Sequence, residues 1–245
     1  RMGRRRRTVL ILGTPLVLAL AAGLVYVSAA SLTVSPKNAS TFRTCIVTGY
    51  PTTSTAIADA YVDENAASAN NGTPGTLNVS SRTTGQNRRA HIRFDLAKCT
   101  PALAATATVR QATLRLNLSA AGASTARVLN LSRVDGTSCP EKTATPSITT
   151  CWTEAGIKWN NKPSVASTPS ATLSLAANAP KDTYYTWTVT SDVATFVAGP
   201  ASNYGWQIAD SVENTSAGSM NSTFKAKELG TDAAGAPQLV VVYAP

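Results

Sequence analysis

A chain of 245 residues has room for one large or two small domains, and its 14% charged and 6% aromatic content, with abundant Ala, Ser and Thr, fits an exported β-protein better than a cytosolic enzyme. The formal net charge of +9 overstates the basicity of the folded part: Arg1 and Arg4 to Arg7 supply five of the 22 basic residues, leaving 17 basic against 13 acidic, a balance of +4. A nucleic-acid-binding domain gathers positive charge on one patch of its fold, so this distribution argues against DNA or RNA as a partner.

The first element is Arg4-Arg5-Arg6-Arg7 followed by an uncharged apolar run, Thr8 to Leu32, of 25 residues. A signal peptide carries an apolar centre of about 7–15 residues and a membrane-spanning helix needs about 20, so the length points to a retained transmembrane anchor. Small residues at cleavage spacing, Val27-Ser28-Ala29 and Ser28-Ala29-Ala30, leave a cleaved signal helix open. Either way the positive flank of residues 1–32 stays inside, and the rest is expected on the extracellular side of the membrane or secreted. Residues 33–45 read as a connector and 46–245 as one domain.

Strands are expected over Ile57–Val62, Leu77–Val79 and Asn87–Leu96. In the last of these, Ala90, Ile92, Phe94 and Leu96 alternate with His91, Arg93 and Asp95. Asp63 to Gly75 is a polar loop ending in Asn70-Asn71-Gly72-Thr73-Pro74-Gly75. Val109–Leu118 and Val128–Val134 also alternate. Tyr184–Val189, Tyr204–Ala209, Ser222–Ala226 and Gln238–Tyr243 complete the set, and the last, apolar on both faces, belongs at the centre of a sheet. Val193–Val197 reads as a short helix capped by Asp192. Between these lies WTEAGIKWNNKP, Trp152 to Pro163, with its two tryptophans seven positions apart. An odd offset would put them on opposite faces of one strand, so a turn at Ala155-Gly156 between two short strands is expected.

Cys45, Cys99, Cys139 and Cys151 form no CxxC pair, and one histidine makes a zinc site improbable. Disulfides are the economical reading. Four cysteines allow three pairings; proximity favours Cys139 with Cys151, which leaves Cys45 with Cys99.

NRRAHIRFDL (Asn87 to Leu96), AYVDEN, QATLRLNL, NYGWQI, FKAKELG and APQLVVVY follow one another in an order that resembles a DNRLRE-type domain, from about Ala58 to Tyr243. That family is found in secreted and surface proteins, and some members are classed as carbohydrate-binding modules with jelly-roll folds. The resemblance therefore implies an all-β jelly-roll β-sandwich that binds cell-surface or cell-wall polysaccharide without catalysis. A structural surface or appendage protein that self-associates is the alternative.

The site residues follow from chemistry. Sugar rings stack on aromatic faces, for which Trp187, Tyr184 and Tyr204 are candidates. Acidic polysaccharides call for cations, and Arg88, Arg89, Arg115 and Arg133 project from polar strand faces. Asp59, Asp63, Glu64 and Asn71 place hard oxygen ligands in one strand-to-loop passage, which suits a structural calcium. Arg93 and Glu228, within the RFD and KAKE segments, are expected to form a structural ion pair, and Glu154 to satisfy buried polar groups at the tryptophan corner. His91 falls on an outward strand position with no GxSxG turn to serve, and no carboxylate spacing singles out a glycosidase pair, so no catalytic residue is assigned.

Overall fold

Side chains that alternate in polarity bury one face of a strand, and here two such surfaces close on each other. The computed structural model describes residues 41–120, 123–215, 220–229 and 235–245; the apolar run 8–32 and the connector up to residue 40 lie outside them. Among the described residues there are eleven strands: β1 (Arg43–Thr48), β2 (Ile57–Asp63), β3 (Thr76–Ser81), β4 (Arg88–Phe94), β5 (Thr108–Asn117), β6 (Arg127–Arg133), β7 (Ala171–Leu175), β8 (Tyr184–Thr188), β9 (Trp206–Asp210), β10 (Met220–Lys225) and β11 (Gln238–Ala244). Two helices accompany them, α1 (Pro140–Ala144) and α2 (Thr190–Ala198). No helix among the described residues is long and apolar enough to cross a membrane.

The strands form two antiparallel sheets. One has four strands in the order β1-β11-β5-β8. The other has seven, six of them ordered β10-β3-β4-β9-β6-β7, while β2 lies off this path and pairs with β4 along its length. In the smaller sheet the register sets Cys45 beside Val241, Leu239 beside Leu114 and Leu114 beside Trp187. These side chains point inward to meet Leu77, Ile92, Phe94, Leu129, Trp206 and Phe224 from the larger sheet in one buried cluster. Each such side chain removed from water stabilises the fold by about 1.5–3 kcal/mol. The architecture is thus an all-β, two-sheet sandwich.

β11 is central, between β1 and β5, as its composition predicts. It still alternates: Leu239, Val241 and Tyr243 are buried, while Gln238, Val240 and Val242 lie half-buried on the outer face. Two strands go unread in the sequence, β7 and β1, which straddles the expected boundary between connector and domain. The expected disulfides form, Cys45–Cys99 tying β1 to the segment after β4, and Cys139–Cys151 closing the loop before Trp152.

The tryptophan corner is not a pair of strands. Trp152 enters a turn at 154–156, and Trp159–Asn161 is a single 3-10 turn. Side-chain anchors hold this loop in place of a ladder. The Trp152 indole donates to the Tyr204 carbonyl at 2.8 Å, and buried Glu141 of α1 accepts from the Thr153 N–H at 3.0 Å and from its hydroxyl. Gly156 is required for space, not for an unusual backbone angle: a Cβ there would stand 2.0 Å from a Glu141 carboxylate oxygen. Asp192 does not cap its helix. It sits inside α2, whose N-cap is Val189, and accepts from the Trp206 indole at 2.6 Å.

Candidate functional site

The outer surfaces of the two sheets differ in what covers them. Over the larger sheet, the loop that carries α1, the Cys139–Cys151 bridge and Trp152 packs on β2 and β4, burying Ala60, Val62, Val134, Cys151, Trp152 and Ile157 in a second cluster. His91 shows the consequence. It is fully buried although its strand position faces away from the core, because this loop seals the face it points to. Its ring meets Trp152 edge-on at 5.8 Å and its Nε2 lies 3.1 Å from the Gln207 amide. Burial, then the charges of Arg89 and Lys162, push its pKa down to about 3, so it is a neutral core group at ordinary pH.

Among the described residues, the smaller sheet carries no such loop on the outward positions of its strands. Its pairing sets Thr48, Gln238, Arg115 and Thr186 in one row and Ile46, Val240, Thr113 and Thr188 in the next. All are half-buried or exposed, and Ile46 is 54% exposed. Arg115 donates to the Gln238 side-chain oxygen at 3.0 Å, and its guanidinium lies 4.5 Å from the centre of the Tyr184 ring. The Tyr184 hydroxyl donates to the Ala236 carbonyl at 2.8 Å. No carboxylate stands in either row. The surface therefore offers an oriented guanidinium, an amide, several hydroxyls and a tyrosine across paired strands, which suits the hydroxyls and apolar ring faces of a sugar chain.

Tyr184 and Arg115, both expected as ligand contacts from the sequence, thus come together. The other sequence candidates are dispersed. Trp187 is 1% exposed and meets Phe224 in the core, because its strand position faces inward beside Leu114; it cannot serve as an open stacking platform. Tyr204 belongs to the tryptophan corner, its ring packed over Gly136. Arg88 pairs with Asp63 at 2.7 Å, Arg89 binds both oxygens of Glu213, and Arg133 lies 3.7 Å from Asp192. Gln238, which orients Arg115, went unread; its outward place opposite Arg115 depends on the pairing of β5 with β11.

The expected Arg93–Glu228 ion pair does not form. Arg93 instead stands 5.8 Å from the Trp152 ring, with its Nη1 buried and without a hydrogen-bond partner. Asp95 and Asn203 line the adjacent cleft. Glu228 lies 3.6 Å from the Lys227 ammonium.

The residues expected to hold calcium also part company. Asp63 is taken by Arg88, Glu64 accepts from the Asn87 N–H and amide, and Asn71 pairs with Tyr61 through a backbone bridge. Asp59 meets Glu154 and Glu228 instead, with one oxygen from each of the three carboxylates within 4.8 Å of the others. Glu154 does serve the corner as expected: it accepts from the Asp59 N–H at 3.1 Å and from the Lys227 ammonium. Burial and then the neighbouring Glu228 and Glu154 raise the Asp59 pKa to about 7, the Lys227 N–H opposing them. Glu228 is raised too, chiefly by burial.

Among the described residues, then, the chain is a two-sheet sandwich with polar and aromatic side chains on the outer face of its smaller sheet. The chain belongs to carbohydrate-binding module family 96, whose family model matches residues 50–243. No curated protein matches it.

Proposed function

We propose that the domain is a non-catalytic polysaccharide-binding module whose ligand lies along the outer face of the β1-β11-β5-β8 sheet. The observation that carries this reading is the Arg115–Tyr184–Gln238 group on the outer face of the smaller sheet, which no loop among the described residues covers. Among the described residues no carboxylate pairs with Arg115, which favours a polymer bearing acidic groups. The strand order is read as a jelly roll, and the two disulfides agree with export to an oxidising compartment by the Arg-rich apolar leader. Buried, neutral His91 is unsuited to acid–base chemistry, in keeping with a binding role.

A panel of acidic and neutral polysaccharides in affinity electrophoresis tests this. Retardation by an acidic polymer that weakens as salt rises is the expected result, because exposed charge pairs are screened over about 8–10 Å at physiological ionic strength. A second reading, self-association through the same face, is favoured by the exposed Ile46 beside half-buried Val240. No retardation by any polymer, with concentration-dependent dimerisation that Ile46→Lys abolishes, would establish that reading in place of the first.

A further inference from the structure

We propose that Asp59, Glu154 and Glu228 form a calcium site that clamps the tryptophan corner to the edge of the larger sheet. The three carboxylates come from separate parts of the chain: Asp59 from β2, Glu154 from the turn after Trp152, and Glu228 from the 3-10 turn after β10. One oxygen from each lies within 4.8 Å of the others. Oxygens on opposite sides of a calcium ion bound at 2.3–2.6 Å are about 4.6–5.2 Å apart, so the three lie within the span of one ion's ligand shell once the Lys227 ammonium gives up Glu154 Oε2.

The protein's own donors leave this cluster unfinished. Lys227 reaches Glu154 Oε2 and stands 3.6 Å from Glu228 Oε1, while its backbone N–H donates to Asp59 Oδ2 at 3.0 Å. Asp59 Oδ1 and Glu228 Oε2 are buried with no partner. Asp59 as a whole is 1% exposed, so solvent does not make up the deficit. A buried acceptor left unpaired costs about 1–3 kcal/mol, and more when charged. Neither Lys227 nor Arg93, the cations whose charge acts on Glu154, donates to the two unpartnered oxygens, which a divalent cation would ligate. Calcium suits the place better than magnesium: it accepts irregular sets of carboxylate oxygens, whereas magnesium demands near-octahedral geometry and keeps most of its water.

The clamp is independent of the glycan reading, because none of its ligands lies on the smaller sheet. Its role is structural: the ion bridges β2 to the loop that seals His91 and Trp152. Thermal unfolding of the full chain, stripped with EDTA and then given calcium or magnesium chloride, tests it. At a calcium concentration 100-fold above Kd, a rise in Tm of about 5–10 °C is expected, with a smaller rise in magnesium. Asp59→Asn and Glu228→Gln should each abolish the calcium shift, while Glu64→Gln, outside the cluster, should keep it. Should Asp59→Asn fail to fold, Glu228→Gln, with its 23% exposed side chain, carries the test alone. No calcium shift in the parent chain, a shift that survives in Glu228→Gln, or one that is lost in Glu64→Gln would overturn the proposal.

Discussion

The Trp187 indole on β8 meets the Phe224 ring on β10 edge to face, with ring centres 5.9 Å apart, so this pair joins the two sheets across the core. Trp187→Ala should therefore destabilise the fold by about 3–5 kcal/mol, as large-to-small aromatic changes in cores do. Urea unfolding measures it. A Trp187 that instead served a ligand would leave the unfolding midpoint nearly unchanged.

Strand positions explain why the sequence misjudged this residue. Alternation in TYYTWTV places Tyr185 and Trp187 on one side and Tyr184, Thr186 and Thr188 on the other, but it does not say which side is the core. That is settled by pairing with β5, which brings Leu114 beside Trp187 and Arg115 beside Thr186. Ten of the strand and helix segments were legible because each carries its own alternation or turn signal. β1 and β7 carried weaker ones: Thr44 and Ile46 or Thr172 and Ser174 face outward, with only Cys45 and Val47 buried in the first and Leu175 in the second. His91 was misread for a different reason. Its strand alternates as expected, but a loop from some 50 residues further on covers its outward face. The carboxylate cluster was invisible in the same way, since Asp59, Glu154 and Glu228 are brought together only by tertiary structure.

His91 supplies a pH dependence whose sign is fixed. Its pKa is depressed from 6.5 to about 3 by burial among neutral neighbours, with Arg89 and Lys162 adding positive charge nearby. The unfolded chain therefore takes up a proton that the folded chain refuses between these values, so the His91 contribution is full above about pH 6.5 and falls as pH drops towards 3, while Asp59, raised to about 7, acts in the opposite sense in both proteins compared. His91→Gln should flatten this dependence. The check is the slope of unfolding free energy from pH 7 to 4, compared between the two proteins.

Two ion pairs of different burial should respond differently to loss of one partner. Arg127 and Asp210 are each only 2% exposed in their side chains, and Arg127 also reaches the Val79 carbonyl and the Ser222 hydroxyl. Asp210→Ala leaves a buried guanidinium unpaired and should cost about 3–5 kcal/mol. Glu213→Ala removes the partner of the more accessible Arg89 and should cost about 1 kcal/mol or less. Chemical denaturation of both variants makes the comparison.

The two disulfides should also rank by the chain they close. Cys45–Cys99 spans 54 positions and Cys139–Cys151 spans 12. By loop entropy these contribute about 4 and 3 kcal/mol respectively. Replacing each pair by alanine separately should lower Tm more for the first, and hydrogen exchange at His91 and Trp152 should rise selectively in the Cys139/Cys151 variant.

The most direct test of the account is to map polysaccharide binding onto the two sheet faces by substitution. For a polymer that retards the parent chain, affinity electrophoresis should show at least a tenfold loss in the Arg115→Ala/Tyr184→Ala variant, with Tm kept within a few degrees, and no loss in Arg88→Ala on the opposite sheet. Unchanged affinity in the double variant, or a comparable loss in Arg88→Ala, would contradict the placement of the ligand on the β1-β11-β5-β8 face.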